Sequence, residues 1–192
     1  EGLGNQFLSN IRETDAIIHV VRAFENDDIV HVSGKVSPID DIEIINTELI
    51  LSDLSIVEKL YQKAQKNTKS GQKEGMPMKE LVEKILTALK EGTSLRKLTF
   101  GKEELVLLKN FQLLTLKPVL YVANVNESGF ENNPHMDLIL EYAKEDHSKV
   151  VPICAEIEAE ICELSNDEKK EFLLEMGPVS YTHLRAHETR NY

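Results

Sequence analysis

The 192-residue sequence predicts an α/β fold: a parallel sheet with helices, interrupted by an inserted antiparallel helical hairpin. Short β-branched runs at Ala16–Phe24, Val119–Ala123 and Lys149–Ile153 alternate with helical patterns, as in a parallel sheet joined by crossovers. Between the first and second runs lie two long apolar stripes at spacings of three and four, separated by a polar turn. Val119–Ala123 is nearly all apolar, which predicts a strand buried on both faces, and it stops abruptly at Asn124. A polar loop with Asn126, Glu127, Ser128 and Gly129 follows. Ligands of open α/β sheets lie just outside the carboxyl ends of the strands, so Asn124 and Glu127 are placed to read one.

Taken in order, Asn5–Glu13 carries Phe7, Leu8 and Ile11 at helical spacing, after the glycine-bearing Glu1-Gly2-Leu3-Gly4. Ala16–Phe24 predicts a central strand, in which His19 reads as a core histidine. The polar loop to Pro38 holds Gly34 and a short Ile29-Val30-His31-Val32 piece that pairs locally; His31 alone does not make a site. From Asp40 the pattern changes. Ile42, Ile45, Leu49, Leu54, Val57, Tyr61 and Ala64 form one stripe, and Asp40 and Asp41 suit a helix start. The spacing predicts a helix of about 25 residues, well above the mean of ~11. Lys66–Pro77 reads as a turn. Met78, Leu81, Val82, Ile85, Leu86 and Leu89 form the second stripe, which ends at Gly92. The two helices make a hairpin whose seams pack mainly on each other, so that it projects as an arm.

Lys102–Phe111 predicts a short helix leading back to the sheet, where Pro118 fits the first position of a strand. Pro134–Glu145 reads as a helix with proline in its first turn. Lys149–Ile153 is the third strand, and Ala155–Leu164 and Asn166–Met176 are helical by spacing.

Composition narrows the function. A net charge of −11 argues against a general nucleic-acid surface. No apolar run approaches the ~18 residues of a membrane span. Cys154 and Cys162 lack a CxxC spacing or a nearby histidine and read as small hydrophobes in a reduced, cytoplasmic setting. No metal site is expected. Residue 1 is not Met, and Val179–Thr189 resembles the in-frame translation of a library-preparation adapter. The sequence is therefore expected to be a fragment cut at both ends. Residues 178–192, His183 and His187 among them, are expected to be a non-native tail.

Several strings carry a closer likeness: Glu1-Gly2-Leu3-Gly4-Asn5-Gln6-Phe7-Leu8, Ile11-Arg12-Glu13-Thr14-Asp15-Ala16 and Ile29-Val30-His31-Val32. Asn124-Val125-Asn126-Glu127 and Phe130-Glu131-Asn132-Asn133-Pro134 add to it. Together they resemble the YchF (Obg-like ATPase) family of P-loop nucleotide-binding proteins, from residue 1 to about Gly177. The resemblance implies a partial P-loop NTPase (G-domain) sheet. Residues 1–38 would be its first part, with the switch II helix and the following strand. Residues 39–112 would be a coiled-coil insertion, and 113–177 the base-recognition part. It also implies hydrolysis of ATP, with GTP weaker, Mg²⁺ in the intact parent, ribosome association and a separate C-terminal TGS domain.

Under that resemblance Asn124, Val125, Asn126 and Glu127 stand where guanine-specific relatives carry Asn-Lys-x-Asp. The Asp there accepts from the N1–H and 2-amino group of guanine, donors that adenine lacks. Glu127 is one methylene longer, so its oxygens fall elsewhere. Val125 in place of Lys would leave an apolar contact along either purine, and Asn124 would bond the N7 edge and tie the loops together. Losing the guanine match weakens preference for GTP. Cys154 and Ala155 occupy the last base loop, and Gly2 and Gly4 the mobile switch segment. No Gly-x-x-x-x-Gly-Lys-Ser/Thr is present, so the catalytic residues and Mg²⁺ ligands are expected upstream. A GTPase of the same fold and a non-catalytic adaptor using the arm are the alternatives.

Overall fold

A computed structural model describes residues 4–26, 35–69 and 76–175 of the chain. Gly2, the 29–32 piece, Gly34, most of the hairpin turn and the 178–192 tail lie outside the described residues. In chain order the elements are α1 (Asn5–Arg12), β1 (Ile17–Arg22), α2 (Pro38–Lys69), α3 (Met76–Lys90) and α4 (Lys102–Lys109). Then come β2 (Val119–Asn124), α5 (Pro134–Glu145), β3 (Lys149–Ile153), α6 (Ala155–Glu163) and α7 (Asn166–Glu175).

The strands form one parallel sheet in the order β1-β2-β3, with Val21 opposite Ala123 and Ala123 opposite Pro152. Among the described residues β2, rather than β1, is therefore the middle strand; apolar composition reports burial and not pairing order. One face of the sheet presents Val21, Val119, Tyr121 and Ala123 to Ile42 of α2 and to Ile139 and Ala143 of α5. On the other face Ile18 and Val20 are 67% and 61% exposed. Strand β2 accordingly alternates buried and half-buried positions, where burial on both faces was expected.

Helix α2 runs for 32 residues, longer than the expected ~25. Pro38 falls in its first turn, where the lost N–H costs nothing, and Asp41 N–H donates to Ser37 O at 3.1 Å. Its stripe faces several partners in succession. Ile42 packs on the sheet, Leu49 on Leu8 and Leu114, and Ile50 and Val57 on Leu81, Val82, Ile85 and Leu89 of α3. Only the far half of α2 forms the hairpin seam; the near half is a layer of the sheet domain. Helix α3 starts at Met76, with Pro77 in its first turn instead of in the turn before it. It ends on Gly92 at φ 75°, with Gly92 N–H bonded to Leu89 O and Thr93 N–H to Ala88 O.

A buried polar cluster fixes the hairpin base to the sheet. Arg96 donates from Nε to Asp146 Oδ2 at 2.8 Å and from Nη2 to Asn46 Oδ1 at 2.6 Å. Tyr121 donates its hydroxyl to the same Asp146 oxygen at 2.8 Å. Burial, then the Asp146 carboxylate, pushes the Tyr121 hydroxyl far above its ordinary range. His19 lies against Tyr121, with ring centroids 5.7 Å apart, and burial together with the charge of Arg96 lowers its pKa. Its place on the covered sheet face matches a core histidine. No described helix is long and apolar enough to cross a membrane.

Candidate nucleotide-base site

The loops beyond the carboxyl ends of the strands are built first from backbone. Ala23 N–H donates to Asn124 O at 2.7 Å, and Val125 N–H donates to Ile153 O at 2.8 Å, so parallel pairing continues just past the sheet. Asn124 then turns its side chain toward the next loop. Its Oδ1 accepts from Ala155 N–H at 3.0 Å. Its Nδ2 has no hydrogen-bond partner among the described residues, which leaves a donor half-exposed at the strand end. Cys154 stands at the N-cap position of α6, without a side-chain capping bond, and is buried with Ile157 and Ile161 against Phe130. The candidate residues Asn124, Cys154 and Ala155 are thus brought together.

Val125 takes a different place from the one expected. Its side chain is 1% exposed and lies in the sheet core, so the loop rests on it. It cannot offer an open apolar surface; at the first position past the β2 edge the parity of the strand turns it inward. Asn126 and Glu127 are exposed, and Glu127 opens a 3₁₀ turn, Glu127–Phe130. Glu127 makes no hydrogen bond or ion pair among the described residues, so its carboxylate is free to meet a ligand. Gly129 closes the turn by donating to Asn126 O at 2.9 Å. A Cβ at Gly129 would stand 2.5 Å from Asn126 Oδ1 and 3.1 Å from Val125 Cβ, so close approach, and not backbone sign, requires glycine.

Residues beyond the expected set complete the loop. Phe130 packs into both the sheet core and the α6 cluster. Asn133 caps α5 and also donates to Ala23 O and Gly129 O. His135 Nε2 lies 3.1 Å from Glu25 Oε1, tying the start of α5 to the chain after β1. The signal for Asn133 was present: an Asn-Pro pair ahead of a helical stripe marks an N-cap. Of the two glycines expected in a switch segment, Gly4 directly precedes α1, and its carbonyl accepts from Leu8 N–H at 3.1 Å.

Chemically the shelf offers an amide donor at Asn124, a carboxylate at Glu127 and, beyond the Ala155 N–H taken by Asn124, the N–H groups of Glu156 and Ile157 in the first turn of α6, which have no intrahelical acceptor. That set suits the polar edge of a planar base. Among the described residues no group of three or more His, Cys, Asp or Glu could hold a metal. A cavity of about 650 Å³ lies at the opposite end of the sheet, lined by Ala16, Arg96, Phe100, Pro118, Asp146 and Lys149, away from the shelf.

No family model matches the chain. It is 55% identical over 177 residues to the ribosome-binding ATPase YchF of Haemophilus influenzae, covering 92% of this chain and 49% of that protein. With the ribosome-binding ATPase YchF of Bacillus subtilis it shares 48% identity over 180 residues, again 92% of this chain and 49% of that protein. The structure of the Schizosaccharomyces pombe YchF GTPase superposes with a TM-score of 0.78 at 30% identity, over 91% of this chain and 49% of that one. The α/β fold with its parallel sheet is thus that of the YchF G domain, and the chain spans about half the length of the relatives it matches.

Proposed function

We infer from its membership of the YchF family, to which it belongs along 92% of its length, that this chain is the base-recognising part of a nucleoside-triphosphate hydrolase. The substrate in this reading is ATP, with GTP bound more weakly. The observation that carries it is the shelf at the sheet end, where Asn124 ties the two loops through Ala155 and the Glu127 carboxylate stays unengaged. Asn124 Nδ2 donates to the purine N7, an acceptor present in both bases. Glu127 supplies an acceptor. The exocyclic 6-amino group of adenine is a donor that it satisfies, whereas the guanine 6-oxygen is an acceptor facing a carboxylate. Misplacing or mismatching a polar partner of this kind costs orders of magnitude in discrimination.

Asn124, Asn126, Glu127, Cys154 and Ala155 form the base site in this reading, Val125 supports it from beneath, and Gly2 and Gly4 belong to the switch segment. Residues 39–112 act as the inserted arm, although α2 also builds the sheet domain. Chemistry at the phosphates belongs to groups outside the described residues. Mg²⁺ belongs with the phosphates in this reading, and no step here runs through it. Relatives named ribosome-binding ATPases support association with the ribosome and, with it, a cytoplasmic setting. A GTPase is the second reading, favoured by the name of the superposed Schizosaccharomyces pombe protein.

Competition of ATP and GTP for one labelled nucleotide on the full-length protein tests the choice. ATP is expected to displace the label at the lower concentration. Equal or tighter displacement by GTP would overturn it.

A further inference from the structure

We propose that Asn133 is a positioning residue for base recognition: it holds the turn carrying Glu127 at the register from which the base is read. The proposal rests on the reading of Asn124–Glu127 as the base site. The half-buried amide of Asn133 is used on every side. Nδ2 donates to Ala23 O at 2.9 Å and to Gly129 O at 3.1 Å, and Oδ1 accepts from His135 N–H at 3.0 Å and Met136 N–H at 3.3 Å. One side chain thereby joins the end of β1, the turn after β2 and the first turn of α5.

Ala23 is itself bonded through N–H to Asn124 O at 2.7 Å, so the turn is referred back to the residue that contacts Ala155. Without the two donated bonds the turn would be held by buried Val125 and its N–H to Ile153 O on the near side of Glu127, and by Gly129 N–H to Asn126 O and the seating of Phe130 on the far side. The Asn133 donation to Gly129 O is the side-chain bond that ties the far side to the end of β1. Asn is the residue type that meets all of these demands. Asp and Ser can cap the helix but bring no pair of donors, and Gln is a methylene too long to cap.

These differences make the test. Asn133→Ser and Asn133→Asp in the full-length protein keep a capping oxygen and remove the pair of amide donors; Ser leaves one shorter hydroxyl, and Asp leaves none and places a charge beside two carbonyl oxygens. ATP and GTP affinities and the thermal midpoint are measured for each. The ratio of GTP to ATP dissociation constants is expected to narrow about three- to tenfold in both variants, the scale of one lost hydrogen bond. Parallel weakening of both nucleotides at an unchanged ratio, or a fall in thermal midpoint alone, would reduce Asn133 to a helix cap and overturn the proposal. A wild-type protein that does not discriminate between the nucleotides would instead sink the base-site reading on which it stands.

Discussion

Arg12 Nη1 donates to Asp53 Oδ1 at 2.9 Å, joining the last residue of α1 to the middle of α2 through a carboxylate fully shielded from solvent. Asp53 also accepts from Leu114 N–H at 3.0 Å and from the N–H and hydroxyl of Thr115, both at 2.8 Å. Arg12 reaches on to Ser52 Oγ at 2.7 Å and Gln112 O at 3.1 Å. Lys117 Nζ closes the group by donating to Arg12 O and Thr14 O. The outgoing helix, the Leu114–Leu116 turn that leads back to β2, and α1 thus meet on one buried anion.

That arrangement predicts an asymmetry. Asp53→Ala leaves two N–H groups, a hydroxyl and a guanidinium without their acceptor, and should cost about 3–5 kcal/mol. Arg12→Ala leaves Asp53 with three donors and should cost about half as much, ~2 kcal/mol. Urea unfolding of the two variants measures both. A larger loss for Arg12→Ala would show that the anion is held chiefly by the ion pair.

His19 makes stability depend on pH. Its pKa in the fold lies below the ordinary 6.5, through burial and the Arg96 charge, so the unfolded chain binds the proton more readily. The contribution is complete above that ordinary value and is lost as pH falls toward the lowered one. Unfolding free energy should therefore fall as pH drops below the ordinary histidine value of about 6.5, and His19→Gln should flatten that particular slope. An unchanged slope in the variant would assign the acid loss to other groups.

The residues show why part of this was legible in the sequence. The bounds of α5 and β3 follow from Pro134 and from the β-branched run at Lys149–Ile153, both local signals. The position of β1 at one side of β2 is not local, since pairing order leaves no mark on Ile17–Arg22 itself. Ile42, Leu49 and Val57 share one stripe at helical period, yet they face the sheet, α1 with the Leu114 segment, and α3 respectively. Periodicity states that a face is buried, not against what. Asp53 sits in Leu-Ser-Asp-Leu and reads as a surface acid, because its donors come from 61 and 62 residues away. At the candidate site, the end of the apolar run places Asn124 at the last position of β2 and Glu127 in the exposed turn beyond it, whereas the inward turn of Val125 follows from strand parity, which composition alone does not carry.

Gly129 is the tightest point of the loop. Gly129→Ala would set a methyl 2.5 Å from Asn126 Oδ1 and 3.1 Å from both Val125 Cβ and Asn133 Nδ2. Overpacking of this kind costs about 1–3 kcal/mol. Asn126 is exposed and able to move, so pairing the change with Asn126→Ala should recover part of the loss. Thermal midpoints of the single and double variants decide it, and no recovery would mean that the Val125 contact limits the turn.

Glu127→Asp isolates the length of the candidate base acceptor. A companion change of Val125 to lysine would confound it, because that side chain is 1% exposed in the core and an ammonium there would unfold the loop. The single change draws the carboxylate back by one methylene, toward the place from which guanine N1–H and its 2-amino group are read. In the full-length protein, affinity for GTP should rise relative to ATP by about tenfold, the scale of one charge-assisted hydrogen bond gained by guanine. Stability should stay within about 0.5 kcal/mol, since Glu127 is exposed and makes no described contact. Paired equilibrium titrations with the two nucleotides measure the ratio. If the ratio does not move while Asn133→Ser still moves it, discrimination comes from the shape of the turn and its backbone, with the Glu127 carboxylate facing solvent.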